Sequence, residues 1–180
     1  EPDYEPAQYV DNTEYEKNHS GRFTLNGRTL KMETEKQMIH YQTNMAAMLQ
    51  LGKWFDYMRE NGVYDNTRII LVSDHGKDLN QDNSFKLADG TDKALYYPLL
   101  MVKDFDSKGF VTSEEFMTNG DVPTLAAEEI IENPVNPFTG KKIDSSEKTA
   151  HDQYIINSDE WETGINNGKT FLPSKWYSVH

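Results

Sequence analysis

Thr67-Arg68-Ile69-Ile70-Leu71-Val72-Ser73-Asp74-His75-Gly76 is the stretch on which the reading of the fold turns. Its apolar run, Ile69 to Val72, is short and rich in β-branched residues, as expected of a strand buried on both faces. The run stops at Ser73-Asp74-His75-Gly76, so a carboxylate and an imidazole stand at the carboxyl end of a central strand. A glycine follows, where the backbone can turn sharply. Open α/β sheets place ligand crevices at that edge. Asp and His together suit a divalent cation such as Zn²⁺ or Mn²⁺. Read instead as a plain strand end, the same pair has Asp74 capping the turn and His75 in solvent.

Working upstream, a long helix precedes the strand. Thr34 and Gln37 are spaced for a capping box, in which each side chain satisfies the other's backbone donor. Met38, Tyr41, Met45, Met48, Gly52 and Phe55 recur at steps of three and four and draw one apolar stripe. Asn61-Gly62 supplies the C-terminal stop. A helix leading into a buried strand is half of a βαβ unit. Before the helix, Asn26-Gly27 between Phe23-Thr24-Leu25 and Arg28-Thr29-Leu30 is placed to close a small hairpin with a type I′ turn.

Downstream of the strand, residues 77–93 form a long polar loop of the kind that carries function. Ala94 to Val102 reads as a second strand, demoted toward an edge or a bulge by Pro98. Residues 113–119 suggest one helical turn. Asp121-Val122-Pro123-Thr124 opens a helix running to about Glu132, ended by Asn133-Pro134. Gln153-Tyr154-Ile155-Ile156 and Lys175-Trp176-Tyr177-Ser178-Val179 read as a late hairpin with Asn166-Asn167-Gly168 near its turn. The expected organisation is an irregular segment over 1–31, a main α/β body over 32–143, and a strand extension over 144–180.

Composition narrows the function classes. The formal charge of −12 and a pI near 4.8 argue against nucleic acid or anionic lipid as the main partner. The nearest basic cluster, Lys141-Lys142, is too small to offset that charge. The absence of cysteine removes disulfides, thiolate catalysis and Cys-ligated zinc. No run approaches the roughly 18–20 apolar residues that span a bilayer, so any membrane attachment would come from an anchor outside this sequence.

Three segments together resemble a known family. Gly62-Val63-Tyr64-Asp65-Asn66-Thr67 followed by Ile69-Ile70-Leu71-Val72-Ser73-Asp74-His75-Gly76 is similar to the G-x-x-D-N-T-hydrophobic-S-D-H-G signature of the sulfatase-like branch of the alkaline phosphatase superfamily. Within it, the lipoteichoic acid synthase-like and phosphoethanolamine transferase-like surface enzymes of bacteria are the subgroup it looks like. Tyr97-Pro98-Leu99-Leu100 resembles the family strand after the Asp-His loop. Asp121-Val122-Pro123-Thr124-Leu125 resembles its D-x-x-P-T-L helix start, one residue shorter. Asn136-Pro137-Phe138-Thr139-Gly140-Lys141 resembles a loop of the surface enzymes. The likeness covers roughly residues 36–143.

The resemblance implies an α/β fold in which this chain carries the C-terminal part of a doubly wound, mostly parallel sheet, with flanking helices and the late hairpin. It implies metal-dependent hydrolysis or transfer at a phosphate or sulfate ester, with glycerol-phosphate or phosphoethanolamine as the moving unit and a lipid headgroup as a possible substrate. Asp74 and His75 match metal ligands for one Mn²⁺, Zn²⁺, Mg²⁺ or Ca²⁺ ion, and Lys77 is placed to contact a substrate anion. The family's nucleophile and first acidic ligand lie upstream of its signature. The chain is therefore expected to be an inactive C-terminal fragment of an extracytoplasmic enzyme anchored in the plasma membrane, itself soluble.

Other candidates have plainer readings beside the functional ones. Thr13, Thr24 and Thr34 stand as hydroxyl nucleophiles only if their loop and cap contexts are set aside. His40 reads as a partly buried or surface histidine of the helix, His151 as a late metal ligand or a solvated residue, and His19 and His180 as terminal or disordered. Trp161 and Trp176 could line a saccharide or headgroup site, or pack a small hairpin. The alternative of a different class is a non-catalytic binding or scaffold module that keeps the fold.

Overall fold

The computed structural model describes residues 24–25, 27–29, 33–81, 83–88, 90–157 and 175–179. The chain divides into two units, residues 1–108 and 109–180.

In the first unit, β1 (Thr24–Leu25) and β2 (Arg28–Thr29) pair antiparallel across a two-residue turn, and Gly27 takes φ +75° there. Helix α1 runs from Glu35 to Glu60. The Thr34 hydroxyl accepts from the Gln37 backbone N–H at 3.2 Å, and Gln37 Oε1 accepts from the Thr34 N–H at 3.2 Å. That is the reciprocal cap expected from the spacing, and it satisfies two donors that a helix start leaves without partners. At the other end Asn61 caps the helix and Gly62 turns left-handed at φ +67°. The buried line of α1 differs from the apolar stripe of the sequence. Met38, Gln42 and Ala46 are buried at four-residue steps, whereas Met48 is exposed. Tertiary packing selects that face even though it includes a glutamine.

Strand β3 (Ile69–Val72) pairs antiparallel with β4 (Leu100–Lys103) in the register Ile69 to Lys103 and Val72 to Leu100. The Lys103 side chain ties this end of the ladder to the turn before β3. Its ammonium donates to the carbonyls of Tyr64, Asp65 and Thr67 in the turn before β3 and lies 4.6 Å from the centre of the Tyr64 ring. Arg68, its side chain almost fully buried, pairs with Asp104 at 2.9 Å and covers the Phe105 ring. The Phe105 backbone N–H and the Arg68 guanidinium hold the Asp104 carboxyl below its ordinary value.

Two expectations need correction here. The second strand was expected over 94–102, but Lys93–Tyr96 forms a 3-10 helix capped by the Asp92 carboxylate on the Ala94 N–H, and β4 begins only after Pro98. Proline has no ladder donor, so the strand starts beyond it. Nor is β3 buried on both faces: Ile69 is buried, but Val72 is 44% exposed.

In the second unit, a 3-10 helix over Asn119–Asp121 leads into α2 (Val122–Ala127), which replaces the turn expected at 113–119 and ends before Glu132. The helix stops because Glu128 turns extended and Glu129 takes φ +62°. A further short helix, α3 (Ser145–Thr149), was not foreseen, although its cap is legible: the Asp144 carboxylate accepts from the Glu147 N–H at 2.9 Å. Strands β5 (Gln153–Asn157) and β6 (Lys175–Val179) pair antiparallel, as the late hairpin requires. Its expected turn at Asn166-Asn167-Gly168 lies outside the described residues.

The architecture is thus mixed helix and strand. Among the described residues there are three two-stranded sheets and every pair is antiparallel. The doubly wound parallel sheet expected from the sequence is not formed by these strands, since β3 takes its hydrogen bonds from an antiparallel neighbour. No described helix is long and apolar enough to cross a membrane.

Candidate functional site

The carboxyl end of β3 is held from both sides. Ser73 extends the ladder by one rung: its N–H donates to the Leu99 carbonyl at 3.0 Å, and its hydroxyl accepts from the Leu99 N–H at 2.7 Å. Three residues on, the Gly76 N–H donates to the Leu95 carbonyl at 2.8 Å. Gly76 lies so close to the 3-10 helix that an added Cβ would stand 1.9 Å from the Ala94 carbonyl oxygen. The glycine is needed for close approach and not for a left-handed turn, a different reason from the one its sequence position suggests.

Asp74 and His75 occupy the two positions between these anchors. Neighbouring side chains on an ideal strand point to opposite faces, but the chain has left β3 and bends here. Asp74 Oδ1 accepts from the His75 backbone N–H at 2.9 Å. His75 Nδ1 is 2.6 Å from the Gly76 carbonyl oxygen. A carbonyl only accepts, so Nδ1 is the donor in this contact and Nε2 is the nitrogen turned toward Asp74. Asp74 Oδ2 lies 3.6 Å from that Nε2. Two ligands about 2.1 Å from a tetrahedral cation stand about 3.4 Å apart, so this pair is nearly at bridging distance. Asp74 is largely exposed and His75 partly so, leaving the edge open to a ligand. A carboxylate and an imidazole are both common ligand types for divalent cations. Among the described residues, no group of three or more His, Cys, Asp or Glu side chains is placed to hold a metal.

The loop beyond is anchored at several points. Gln37, buried in the α1 cap, donates its amide to the Leu79 carbonyl at 2.6 Å, and Lys36 reaches Asp78 at 3.4 Å. Asp92 accepts from the Asn80 N–H at 3.3 Å as well as capping the 3-10 helix. Lys86 bridges to Asp92, and the Phe85 ring meets Tyr97 edge-on. Lys77 lies two residues past His75 and is half-buried. Sequence reasoning missed Ser73, Gln37 and Asp92 as positioning residues; only the cap signal at Gln37 was visible.

The remaining candidates separate from this site. Thr34 is the α1 cap and Thr24 belongs to β1. His40 is a half-buried α1 residue. His151 and Trp176 belong to the second unit, His151 exposed just after α3 and Trp176 exposed on β6. Thr13, His19, Trp161 and His180 lie outside the described residues.

Among the described residues of the second unit, the buried ones are polar. Asp121 is 1% exposed. Its Oδ2 accepts from the Thr118 N–H at 2.8 Å, the Thr118 hydroxyl at 2.9 Å and Lys148 Nζ at 2.6 Å, while Oδ1 accepts from the Asn136 amide at 3.0 Å. Burial by itself would push this carboxyl up; the Lys148 ammonium and the other donors outweigh it and hold the group below its ordinary value. Asn136 in turn closes the loop that follows, accepting from the Phe138 and Thr139 N–H groups.

No family model, curated protein or solved structure matches this chain.

Proposed function

We propose that the chain supplies part of the metal site of a sulfatase-like hydrolase or transferase of the alkaline phosphatase superfamily, acting on phosphate or sulfate esters. The observation that carries the reading is the convergence of Asp74 Oδ2 and His75 Nε2 to 3.6 Å where the chain leaves β3. In this reading Asp74 and His75 ligate the ion, the Gly76 carbonyl holds the imidazole in the ligating tautomer, and Ser73 with Gly76 fixes the bend. Lys77 offers a point charge to the substrate anion. A divalent cation bound there would lower the pKa of an attacking hydroxyl and neutralise charge on the ester's non-bridging oxygens. The nucleophile and the other ligands would come from an upstream part of the enzyme, within a doubly wound sheet that the described strands join. By the same resemblance the enzyme works outside the cytoplasm at the bacterial plasma membrane, with glycerol-phosphate or phosphoethanolamine esters as substrates.

The test uses a protein that joins this chain to its upstream sequence, assayed with Mn²⁺ against aryl phosphate, aryl sulfate and phosphatidylglycerol. Turnover of one class and its loss in Asp74→Ala, with thermal stability unchanged, is the expected result. Full turnover in that variant removes the ligand assignment. Normal folding with Mn²⁺ bound and no turnover of any ester favours a non-catalytic binding module.

A further inference from the structure

Three segments singled out by the sequence but unused at the Asp74–His75 edge meet in one cavity of the second unit. They are the Asp121 helix start, the Asn136–Lys142 loop, and the chain after α3 that carries His151. The cavity has a volume of about 350 Å³, and Lys141, Lys142 and Lys148 all line it. Its size falls within the range of small-molecule sites.

The lining also holds Asp121, Asp144 and Glu147, so its formal charges balance. What separates the two signs is which groups are already committed. All four contacts to Asp121 are donors, including the Lys148 ammonium. Glu147 pairs with Lys141, and Asp144 Oδ1 accepts the Glu147 N–H. An incoming cation would have to break these contacts to find a lone pair. The donors are less committed. Lys142 Nζ is held by the neutral Asn133 amide oxygen at 2.9 Å. An ammonium has three protons, and Lys148 directs them at Asp121 and, more weakly, at the Phe116 carbonyl at 3.4 Å. The Lys141 pair is exposed on both sides, a kind of contact that contributes little and rearranges readily. His151 also lines the cavity and brings an imidazole to it.

We propose that this cavity binds a tetrahedral oxyanion, the phosphate or sulfate group of a small molecule, through Lys142, Lys148 and His151 with Lys141 swinging in from Glu147. The buried Asp121 is the positioning residue that aims Lys148. This site lies in a different part of the chain from the Asp74–His75 pair and does not depend on the reading given to that pair.

The experiment is a titration of the 180-residue chain with inorganic phosphate, and separately with methyl phosphate, in metal-free buffer at low salt, followed by ¹H–¹⁵N NMR. Saturable shifts confined to the amides of residues 118–121 and 136–153, which line or brace the cavity, are the expected result, tightening with methyl phosphate if an ester is the true ligand and unchanged if free phosphate is. Lys142→Gln should weaken binding about tenfold, as befits one charge-assisted hydrogen bond, and Lys142→Gln with His151→Gln should remove it. Lys142 and His151 are exposed, so both variants should keep the wild-type spectrum in the absence of anion. Shifts that do not saturate, that spread over the whole chain, or that survive the double substitution overturn the site.

Discussion

A Cβ on Gly76 would meet backbone oxygens of Ala94 and Tyr97 at 1.9 and 2.8 Å, and backbone cannot rotate away as a side chain can. Gly76→Ala should therefore cost about 1–3 kcal/mol, typical of overpacking, or push the Asp74–His75 bend off the 3-10 helix. Urea denaturation with NMR of the 73–77 amides separates these outcomes; an unchanged midpoint and unchanged shifts would contradict the close approach. Asp121 is the second position where one side chain decides much. Removing it by Asp121→Ala leaves Lys148 and Asn136 without their shared acceptor, and a loss of about 3 kcal/mol is expected from breaking a buried pair. Its carboxyl is held below the ordinary value in the folded state. The stability this lends is therefore present above about pH 4 and lost as the pH falls through the lowered folded value. Comparing acid unfolding of the wild type with that of Asp121→Asn checks the sign: the amide variant should lose that part of the acid sensitivity.

At the scale of elements, the start of α1 does two jobs with one residue. Thr34→Ala removes one cap acceptor and should cost about 1 kcal/mol. Gln37→Ala removes its half of the capping box and also the hydrogen bond to the Leu79 carbonyl, so it should cost clearly more and loosen the loop after His75. Chemical denaturation of both variants, with hydrogen exchange at residues 78–81, measures the difference; equal costs would mean that the Leu79 contact contributes nothing. Helix α1 is legible because its cap and its glycine stop lie within local reach, whereas its apolar spacing marks a face that packing only partly buries. Strand β4 is shorter than its apolar run because the Asp92 cap wins the Lys93–Tyr96 stretch, a competition between local hydrogen bonds that hydrophobicity does not register. Helix α3 is too short, at five residues, to carry an apolar pattern, and the Asp144–Glu147 cap spacing is its one local signal.

For the whole molecule, the charge of −12 spread along the chain predicts self-repulsion at neutral pH and least solubility near the pI of 4.8. Light scattering across pH 4–8 should show association peaking near that value, and a flat profile would contradict it. Residue order by itself determined α1 with both its ends, the strand at 69–72 and the strands that pair as β1–β2 and β5–β6, because caps, turns and apolar runs act over a few residues. The tertiary structure alone decided that β3 pairs antiparallel with β4, that Gly76 serves close packing, and that Oδ2 of Asp74 faces Nε2 of His75. It likewise gathered Asp121, Asn136 and Lys148 into one buried network. Strand direction, close backbone packing and long-range polar contacts depend on which distant backbone arrives alongside, and no local pattern records that.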